Sequence, residues 1–196
     1  MSAADGASAQ AAAAEDRSLM ARVQTGDESA FAPLMARWER PVKTVIGRLV
    51  LNATEAEELA QETFVRVWQQ RARYRPEAEF RPWIFAIAVN LARNRLRWWR
   101  RRPLVALDAW TEGIAAPHTR DSRSEAERAE MVAAVQAAVA ALPLELRVAL
   151  VLSVYEHCSH AEIALAVGAT PKAVETRIYR AKEKLRKVFS RKGGSR

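Results

Sequence analysis

The stretch Ser159–Val188, SHAEIALAVGATPKAVETRIYRAKEKLRKV, decides the fold of this chain because it predicts two helices joined by a tight turn. Its opening serine and Glu162 have the spacing of a capping box, so a helix begins there. Gly168 favours the left-handed conformation that ends a helix, and Thr170 followed by Pro171 favours an N-cap and the first residue of a second helix. This succession is typical of a helix-turn-helix.

The second of these helices has an apolar side and a polar side. Its apolar residues recur at intervals of three and four positions, as the buried residues of a helix do. From Lys172 to Lys192 the chain carries nine lysines and arginines against two glutamates, and a phosphate backbone suits such a charge density. An ordinary helical hairpin with a solvated basic face is the alternative. The side chains predicted to reach base edges and phosphates are Lys172, Glu175, Thr176, Tyr179 and Arg180.

Composition limits the classes of protein to which the chain can belong. It has 196 residues, 49% of them hydrophobic, which suffices for one or two small domains with cores of their own. A net charge of +8 favours nucleic acid or another anionic surface as partner. The single cysteine, Cys158, excludes an internal disulfide and is typical of a reducing cytosol, so a cytoplasmic location is expected. No segment approaches the roughly 20 apolar residues that span a bilayer, so no membrane insertion is expected.

The N-terminal half contains further predicted helices. Met1–Asp16 is rich in alanine and serine and is predicted to be a disordered tail. Pro33 and Pro41 are expected to bend or break the helix that follows. Thr54 and Glu57 have the spacing of a second capping box. The helix that they open has a polar side, for which the pattern favours solvation over docking: Glu58, Gln61, Glu62 and Arg66.

A long basic helix is predicted from about Pro82, after a loop at Tyr74–Phe80. Its portion Asn90–Arg102 contains six arginines and no acid, which favours a contact with nucleic acid over a solvated face. Trp98 and Trp99 could stack on unpaired bases, although such a pair more often packs in a core or an interface. The residues that recur along one face include Asn90, Arg93, Asn94 and Arg97.

The remaining chain predicts a linker and a second helical domain. Residues 103–123 combine helix-breaking prolines with an excess of acids, as interdomain linkers do. Ser124 is expected to cap the next helix, and Pro143 to open a further one with Val154 packed inward. No strand pattern occurs, so the predicted fold is all-α, with two small helical domains joined by a flexible linker. The stripe expected to face the second core is Met131, Val132, Val135, Val139 and Leu142.

Five blocks of the sequence together resemble a bacterial extracytoplasmic-function (group IV) sigma factor of the sigma-70 family. They agree with that family in order and spacing, and the resemblance covers residues 18–191. The blocks are GDESAFAPLMARW, EAEELAQETFVRVWQ, FRPWIFAIAVNLARNRLRWWRRR, ALPLELRVALVL and HAEIALAVGATPKAVETRIYRAKEKLR.

The resemblance implies a function and its partners. The chain would bind core RNA polymerase through the beta-prime clamp helices and the beta flap, and would direct initiation at promoter DNA under the control of an anti-sigma factor. It would be no enzyme and would need no cofactor, because the catalysis belongs to the polymerase. The implied organisation is a tail at 1–16, a sigma-2 domain at 17–102, a linker at 103–123, a sigma-4 domain at 124–191 and a basic tail at 192–196.

The resemblance also assigns the candidate residues to three sites. It favours docking over solvation for the polar face near Glu62. Glu175 stands where relatives often carry a basic residue, so its carboxylate could accept from a cytosine amino group. Arg75-Pro76 replaces a glycine of many relatives, which leaves the specificity for a flipped base open. The implied sites are polymerase binding by Glu58, Gln61, Glu62 and Arg66; minus-ten opening by Tyr74, Asn90, Arg93, Asn94 and Arg97; and minus-thirty-five reading by Lys172, Glu175, Thr176, Tyr179 and Arg180.

Three other classes of function are alternatives to this one. A metal or redox module could use His157, Cys158 and His160, with or without His118, but no second cysteine is present to close such a site. A helix-turn-helix repressor or activator that is no polymerase subunit would have no need of the second basic helix. An enzyme is disfavoured because the chain has no Gly-rich phosphate loop, nucleophile motif or carboxylate pair on one face.

Overall fold

The computed structural model describes residues 3–75, 77–102 and 122–193. Within them the chain forms eight α-helices and two 3-10 turns, Glu28–Ala30 and Arg71–Arg73, and no strand, which confirms the all-α prediction. The predicted linker lies outside the described residues except for its last two, which belong to a helix. The helices are α1 (Ala3–Gln24), α2 (Phe31–Val50), α3 (Ala53–Gln69), α4 (Phe80–Arg101), α5 (Ser122–Ala140), α6 (Leu144–Val154), α7 (His160–Val167) and α8 (Pro171–Gly193).

The N-terminal segment corrects a prediction. Residues 3–16 were expected to be disordered, but they form the first part of α1. The carboxylate of Asp16 is buried, accepts a hydrogen bond from Trp38 Nε1 at 3.0 Å and pairs with Arg37, so it anchors α1 on α2. Burial raises the pKa of Asp16, and the neighbouring guanidinium opposes that rise. A run of alanines with high helix propensity completes the helix.

The boundaries of α2 and α3 also differ from the prediction. Pro33 lies in the first turn of α2, where backbone N–H groups have no intrahelical acceptor, and α2 continues through Pro41 as one helix. The expected capping box at Thr54 is not the start of α3. Asn52 is the N-cap, because its side chain accepts from the backbone N–H of Glu55 at 2.8 Å and it precedes the threonine in the chain.

Helices α1 to α4 form one module around an apolar core. Phe80, Phe85, Leu34, Ile46 and Ile84 are among its fully buried side chains. Ring edges meet ring faces where aromatics from α2 and α4 pack, with centroids 5.8 Å and 5.7 Å apart. The start of α4 at Phe80 rather than near Pro82 brings this aromatic residue into the core.

Helices α5 to α8 form a second module, in which α5 is less buried than predicted. Val139 and Leu142 are buried against Ala181, but Met131 is 68% exposed, and Val132 and Val135 are exposed as well. The reason is that, among the described side chains, α5 contacts α8 near its C-terminal end, where Val139 and Leu142 lie. The expected inward packing of Val154 is also wrong, and Ser124 lies inside α5 instead of capping it.

The two modules pack directly against each other. Helix α4 lies against α7, and α2 lies against α6, so that buried residues of both modules belong to one continuous cluster. Arg147 of α6 donates to the backbone oxygen of Leu49 at 2.8 Å, and the guanidinium of Arg48 lies 3.7 Å from the centroid of the Tyr155 ring. The structure is therefore a closed arrangement of the two modules.

Candidate nucleic-acid and docking faces

The helix-turn-helix forms as its sequence predicts. Ser159 N donates to the Glu162 carboxylate at 2.7 Å, and Glu162 N donates to Ser159 Oγ at 3.2 Å, which completes the capping box. Gly168 has a φ of 65° and ends α7 in the left-handed conformation. The backbone N–H of Ala173 donates to Thr170 Oγ1 at 3.2 Å, which caps α8. Each predicted boundary is confirmed, because each depends on residues within one turn of it.

The outer side of α8 presents the predicted DNA-reading residues. Tyr179 is 66% exposed and Arg180 is exposed, while the helix rests on its buried apolar stripe. Lys172 Nζ lies 2.8 Å from the Glu175 carboxylate, and this contact lowers the pKa of Glu175. The hydroxyl of Thr176 donates to the Lys172 carbonyl at 2.9 Å. The Glu175 carboxylate therefore stays ionised beside a lysine, so α8 presents a row of mixed charge.

The structure divides the residues that were predicted on α4. Asn90, Asn94 and Arg97 are exposed and follow one another along one side, with Arg97 Nη2 donating to Asn94 Oδ1 at 3.1 Å. Arg93 is half-buried, and its Nη2 lies 3.2 Å from the carboxylate of Glu145 in the second module. Three of the four α4 residues thus form an open row, and the fourth is held in the contact between modules.

Tyr74 is placed differently from the other candidates. It is 3% exposed, its hydroxyl donates to the Ala78 carbonyl, and its ring packs 6.1 Å from Phe80 and 5.2 Å from Trp83 by centroids. Gln24 Nε2 donates to the Tyr74 carbonyl at 2.7 Å. Burial raises the pKa of Tyr74 to about 12. In this arrangement the ring holds the loop in place and is not open to a base.

Arg95 and the tryptophan pair of α4 make contacts within the protein. Arg95 pairs with Glu55 of α3 and lies 3.9 Å from Glu58, one of the candidate docking residues. Trp99 is buried, and the half-buried Trp98 ring lies under the Arg102 guanidinium at 5.0 Å. Packing, rather than base stacking, is the arrangement that the tryptophan pair adopts here.

The outward side of α3 carries the remaining candidates. Glu58, Gln61 and Arg66 are exposed and Glu62 is half-buried, with Arg66 Nε 2.7 Å from the Glu62 carboxylate. Exposed i, i+4 pairs of this kind contribute little to stability, about 0.3–0.5 kcal/mol. These side chains are therefore available to a partner at small cost.

Beside this face lies a groove between α2 and α3 that the sequence did not indicate. It has a volume of about 530 Å³, and Gln61 stands at its wall. Its apolar lining comes from Phe31, Met35, Val65 and Trp68, of which Met35 and Val65 are exposed. The available signal was Val65, a lone β-branched residue on an otherwise polar helix side. The charged residues that line the groove are Glu28, Glu39, Lys43 and Glu57.

The candidate metal residues are not brought together by the described part of the chain. No group of three or more histidine, cysteine, aspartate or glutamate side chains suited to a metal ion occurs there, and His118 lies outside it. Cys158 is buried, and burial raises its pKa to about 12, which keeps the thiol protonated. None of the helices in the described ranges is sufficiently long and apolar to cross a bilayer.

Two family models match the chain, one in each module. Residues 34–102 match Sigma-70 region 2, and residues 133–185 match Sigma-70, region 4. The first match contains α3 and α4 with their candidate faces. The second contains the helix-turn-helix and most of α8.

Curated relatives and solved structures agree with these matches. The chain is 34% identical over 183 residues to RNA polymerase sigma-H factor of Pseudomonas aeruginosa, covering 89% of this chain and 94% of the relative. It is 37% identical over 172 residues to RNA polymerase sigma factor CarQ of Myxococcus xanthus (87% and 95%), and 31% over 175 residues to ECF RNA polymerase sigma-E factor of Haemophilus influenzae (86% and 92%). The structure of CnrH in complex with the cytosolic domain of CnrY is similar with a TM-score of 0.68 and 27% identity, covering 90% of this chain and 97% of that one.

Proposed function

The chain belongs to the extracytoplasmic-function group of the sigma-70 family, and from this premise we propose that it directs RNA polymerase to promoters through three surfaces of its own. Sigma factors are not enzymes, so the catalysis of initiation belongs to the polymerase. The observation that carries the proposal is the exposed row on α8, which follows a fully capped helix-turn-helix and stands opposite a buried stripe. We assign the cytoplasm as the place of action.

The first surface is the outer side of α8, which we assign to the duplex at the minus-thirty-five element. A recognition helix enters the major groove and places a few side chains against base edges. Tyr179 and Arg180 are the most exposed candidates near its middle, and the fork of Arg180 suits a guanine edge. Glu175 stays ionised, so it can only accept hydrogen bonds, and the amino group of a cytosine is the donor that it would recognise.

The second surface is the row on α4 formed by Asn90, Asn94 and Arg97, which we assign to the opened minus-ten strand. Amide side chains both donate and accept, so the two asparagines can bond to bases that have lost their pairing partners. Tyr74 is assigned a supporting role in holding the loop that precedes α4, in place of the direct contact that the sequence suggested. Its burial and its hydrogen bond to Ala78 support this change.

The third surface is the side of α3 with Glu58, Gln61, Glu62 and Arg66, together with the adjacent groove, which we assign to core polymerase. The groove offers apolar side chains at its floor, and three of its four charged residues are acidic. Its complement is therefore a helix with an apolar side and basic flanks. The chain as a whole carries a net charge of +8, but this face is acidic and would repel DNA, so it favours polymerase over DNA as its partner.

An anti-sigma factor is the proposed regulator. The similar structure is that of CnrH in complex with the cytosolic domain of CnrY, so a protein of this fold binds a second polypeptide, which supports a protein regulator for this chain. A repressor or activator that acts without polymerase is the other function to test. The two functions can be distinguished, because a repressor or activator of this kind binds its DNA operator without polymerase.

The deciding experiment combines the purified chain with core polymerase. We expect association with core polymerase and promoter-specific transcription that depends on the chain. Val65→Glu, in the groove, is expected to abolish association with core polymerase. The control, Val132→Glu, places the same charge at an exposed position of α5 and should leave association unchanged. Tight, sequence-specific binding of a duplex by the free chain, without polymerase association, would contradict the proposal and favour the repressor.

A further inference from the structure

One carboxylate joins the two DNA-facing helices of the closed structure. Oε2 of Glu145, at the start of α6, lies 3.2 Å from Arg93 Nη2 of α4 and 3.3 Å from Arg177 Nη1 of α8. The two arginines come from the two modules. Both are more buried than the glutamate, whose side chain is 50% exposed, against 14% for Arg93 and 28% for Arg177.

The environment of Arg93 shows that the glutamate does not satisfy it fully. Its Nε is buried and has no hydrogen-bond partner among the described residues. A guanidinium offers five donors, and Glu145 takes up only part of that capacity. A phosphate group presents more acceptor oxygens than one carboxylate oxygen, so it suits the same pair of arginines better.

The closed arrangement is incompatible with reading a promoter through both modules. This incompatibility rests on the proposed function, in which each module binds its own promoter element. The two elements lie about 25 base pairs apart, or about 85 Å along straight duplex at 3.4 Å per pair. In the structure α4 packs directly on α7, the helix that precedes α8. The modules must therefore separate before both elements can be bound.

We propose that Glu145 is an electrostatic latch, which occupies Arg93 and Arg177 in place of DNA phosphates and holds the two modules closed through its pair with Arg93. A second charge pair, Arg81 Nη1 to the Glu162 carboxylate at 3.4 Å, crosses the same contact and remains when the latch is removed. Only the Arg93 pair crosses between the modules, because Glu145 and Arg177 both belong to the second module. One partly exposed ion pair shifts an equilibrium by about 1.4- to 5-fold. This is the expected gain in the open population of a Glu145→Gln variant.

The native thiol reports that population without any polymerase or DNA. Cys158 is the only cysteine, is buried in the cluster shared by the modules, and has Arg81 of α4 beside it. Its rate of reaction with a thiol-specific disulfide reagent therefore rises in proportion to opening. We expect Glu145→Gln to raise this rate about 1.4- to 5-fold and Glu145→Lys, which places a cation beside Arg93, to raise it further. Glu130→Gln removes the same charge from an exposed position of α5 and should leave the rate unchanged.

A second measurement tests the competition with phosphate. Affinity for a short duplex of mixed sequence should increase in Glu145→Gln by a factor similar to that in thiol reactivity, and by clearly less in Glu130→Gln. Thermal unfolding followed by circular dichroism checks that all variants retain the fold. An unchanged thiol rate in both Glu145 variants, or an equal affinity gain in the control, overturns the latch. Neither result bears on whether the chain binds polymerase, so the proposed function is tested separately.

Discussion

The two basic helices of this protein use their charges differently. On α8 the side chains of Tyr179 and Arg180 are exposed, and the described partners of its charges lie mainly on α8 itself. On α4, Arg93 and Arg95 are paired with glutamates of other helices. In sequence the basic portions of the two helices have similar densities of arginine and lysine, six in the 13 residues of Asn90–Arg102 and nine in the 21 of Lys172–Lys192. Density alone therefore does not distinguish an exposed arginine from one that is paired within the protein.

The difference follows from where the helices lie. Helix α8 packs through one stripe and leaves its other sides open, whereas α4 contacts α2 and α3 on the side of its own module and α7 on the other. Acids that are remote in sequence, Glu55 and Glu145, reach α4 from both directions. Which arginines are paired within the closed protein and which stay exposed is therefore a property of the fold.

The largest expected effect is on α8. Arg180→Ala should cost about 1–3 kcal/mol of promoter affinity in the polymerase complex if its guanidinium contacts a guanine edge. Stability should change by less than about 0.5 kcal/mol, because the side chain is exposed. Promoter binding at several salt concentrations, beside thermal unfolding, measures both quantities.

Arg180→Lys distinguishes the kind of contact. A lysine keeps the charge but loses the planar fork of the guanidinium. If Arg180 contacts a base edge, we therefore expect the loss of promoter affinity to persist in the lysine variant. Recovery of affinity in the lysine variant, uniformly across promoter sequences, would instead show a phosphate contact. A large loss of stability in either variant would contradict the comparison between the helices.

The features that sequence predicted well are those that depend on neighbours along the chain. The capping box at Ser159, the left-handed Gly168 and the cap at Thr170 all formed, because a cap is decided by side chains within one turn. The exposure of the α8 row followed from periodicity in the same way. The all-α fold class could be predicted from such local patterns alone.

The features that sequence missed depend on contacts between distant segments. Asp16 became part of a helix because Trp38 and Arg37 supply partners, and a tail composition does not reveal these. Met131 stayed exposed because α8 contacts α5 near the C-terminal end of α5, at Val139 and Leu142. The burial of Tyr74, and the groove at Val65, likewise arise where separate helices meet. Tyr74 could be named as a candidate from the family resemblance, but its burial could not be predicted.

The segments that lead into the two helices sharpen the comparison further. Helix α8 follows a locally capped turn, but α4 follows a loop held by the buried Tyr74. Tyr74→Phe removes the hydroxyl that donates to Ala78, and we expect a loss of about 0.5–1.5 kcal/mol in the free energy of unfolding near neutral pH. Urea titration of both proteins measures it.

The same pair of proteins should respond differently to pH. The folded pKa of Tyr74, about 12, lies above its unfolded value of 10.0, so its contribution is fully present below pH 10 and is lost as pH rises from 10 towards 12. The advantage of the wild type should therefore shrink in this window by on the order of 1–3 kcal/mol and can change sign. If the difference in free energy of unfolding between the two proteins stayed constant up to pH 12, the Tyr74 ring would not be buried in solution.

The open row on α4 predicts an effect on strand opening. Asn90→Ala removes one amide, so opening of the minus-ten element should fall by about 2- to 13-fold, the value of one hydrogen bond. Binding of core polymerase should stay intact, because Asn90 is an exposed residue of α4 and does not belong to the α3 docking site. Permanganate reactivity of minus-ten thymines reports opening, and Arg180→Ala gives the opposite pattern, with weakened upstream binding. Normal opening in Asn90→Ala would remove this row from the proposed site.

The smallest expected effect compares two arginines of the same helix. Arg95→Ala breaks the pairs with Glu55 and Glu58 and should lower the free energy of unfolding by about 0.2–1 kcal/mol, since these side chains are partly exposed. Arg97→Ala removes the same charge from an exposed position and should leave stability nearly unchanged while weakening promoter opening. Urea midpoints and permanganate reactivity of the two variants form a crossed test. If both variants lost stability equally, or both weakened opening equally, position on α4 would not determine an arginine's role, and total charge along the helix would explain its contribution instead.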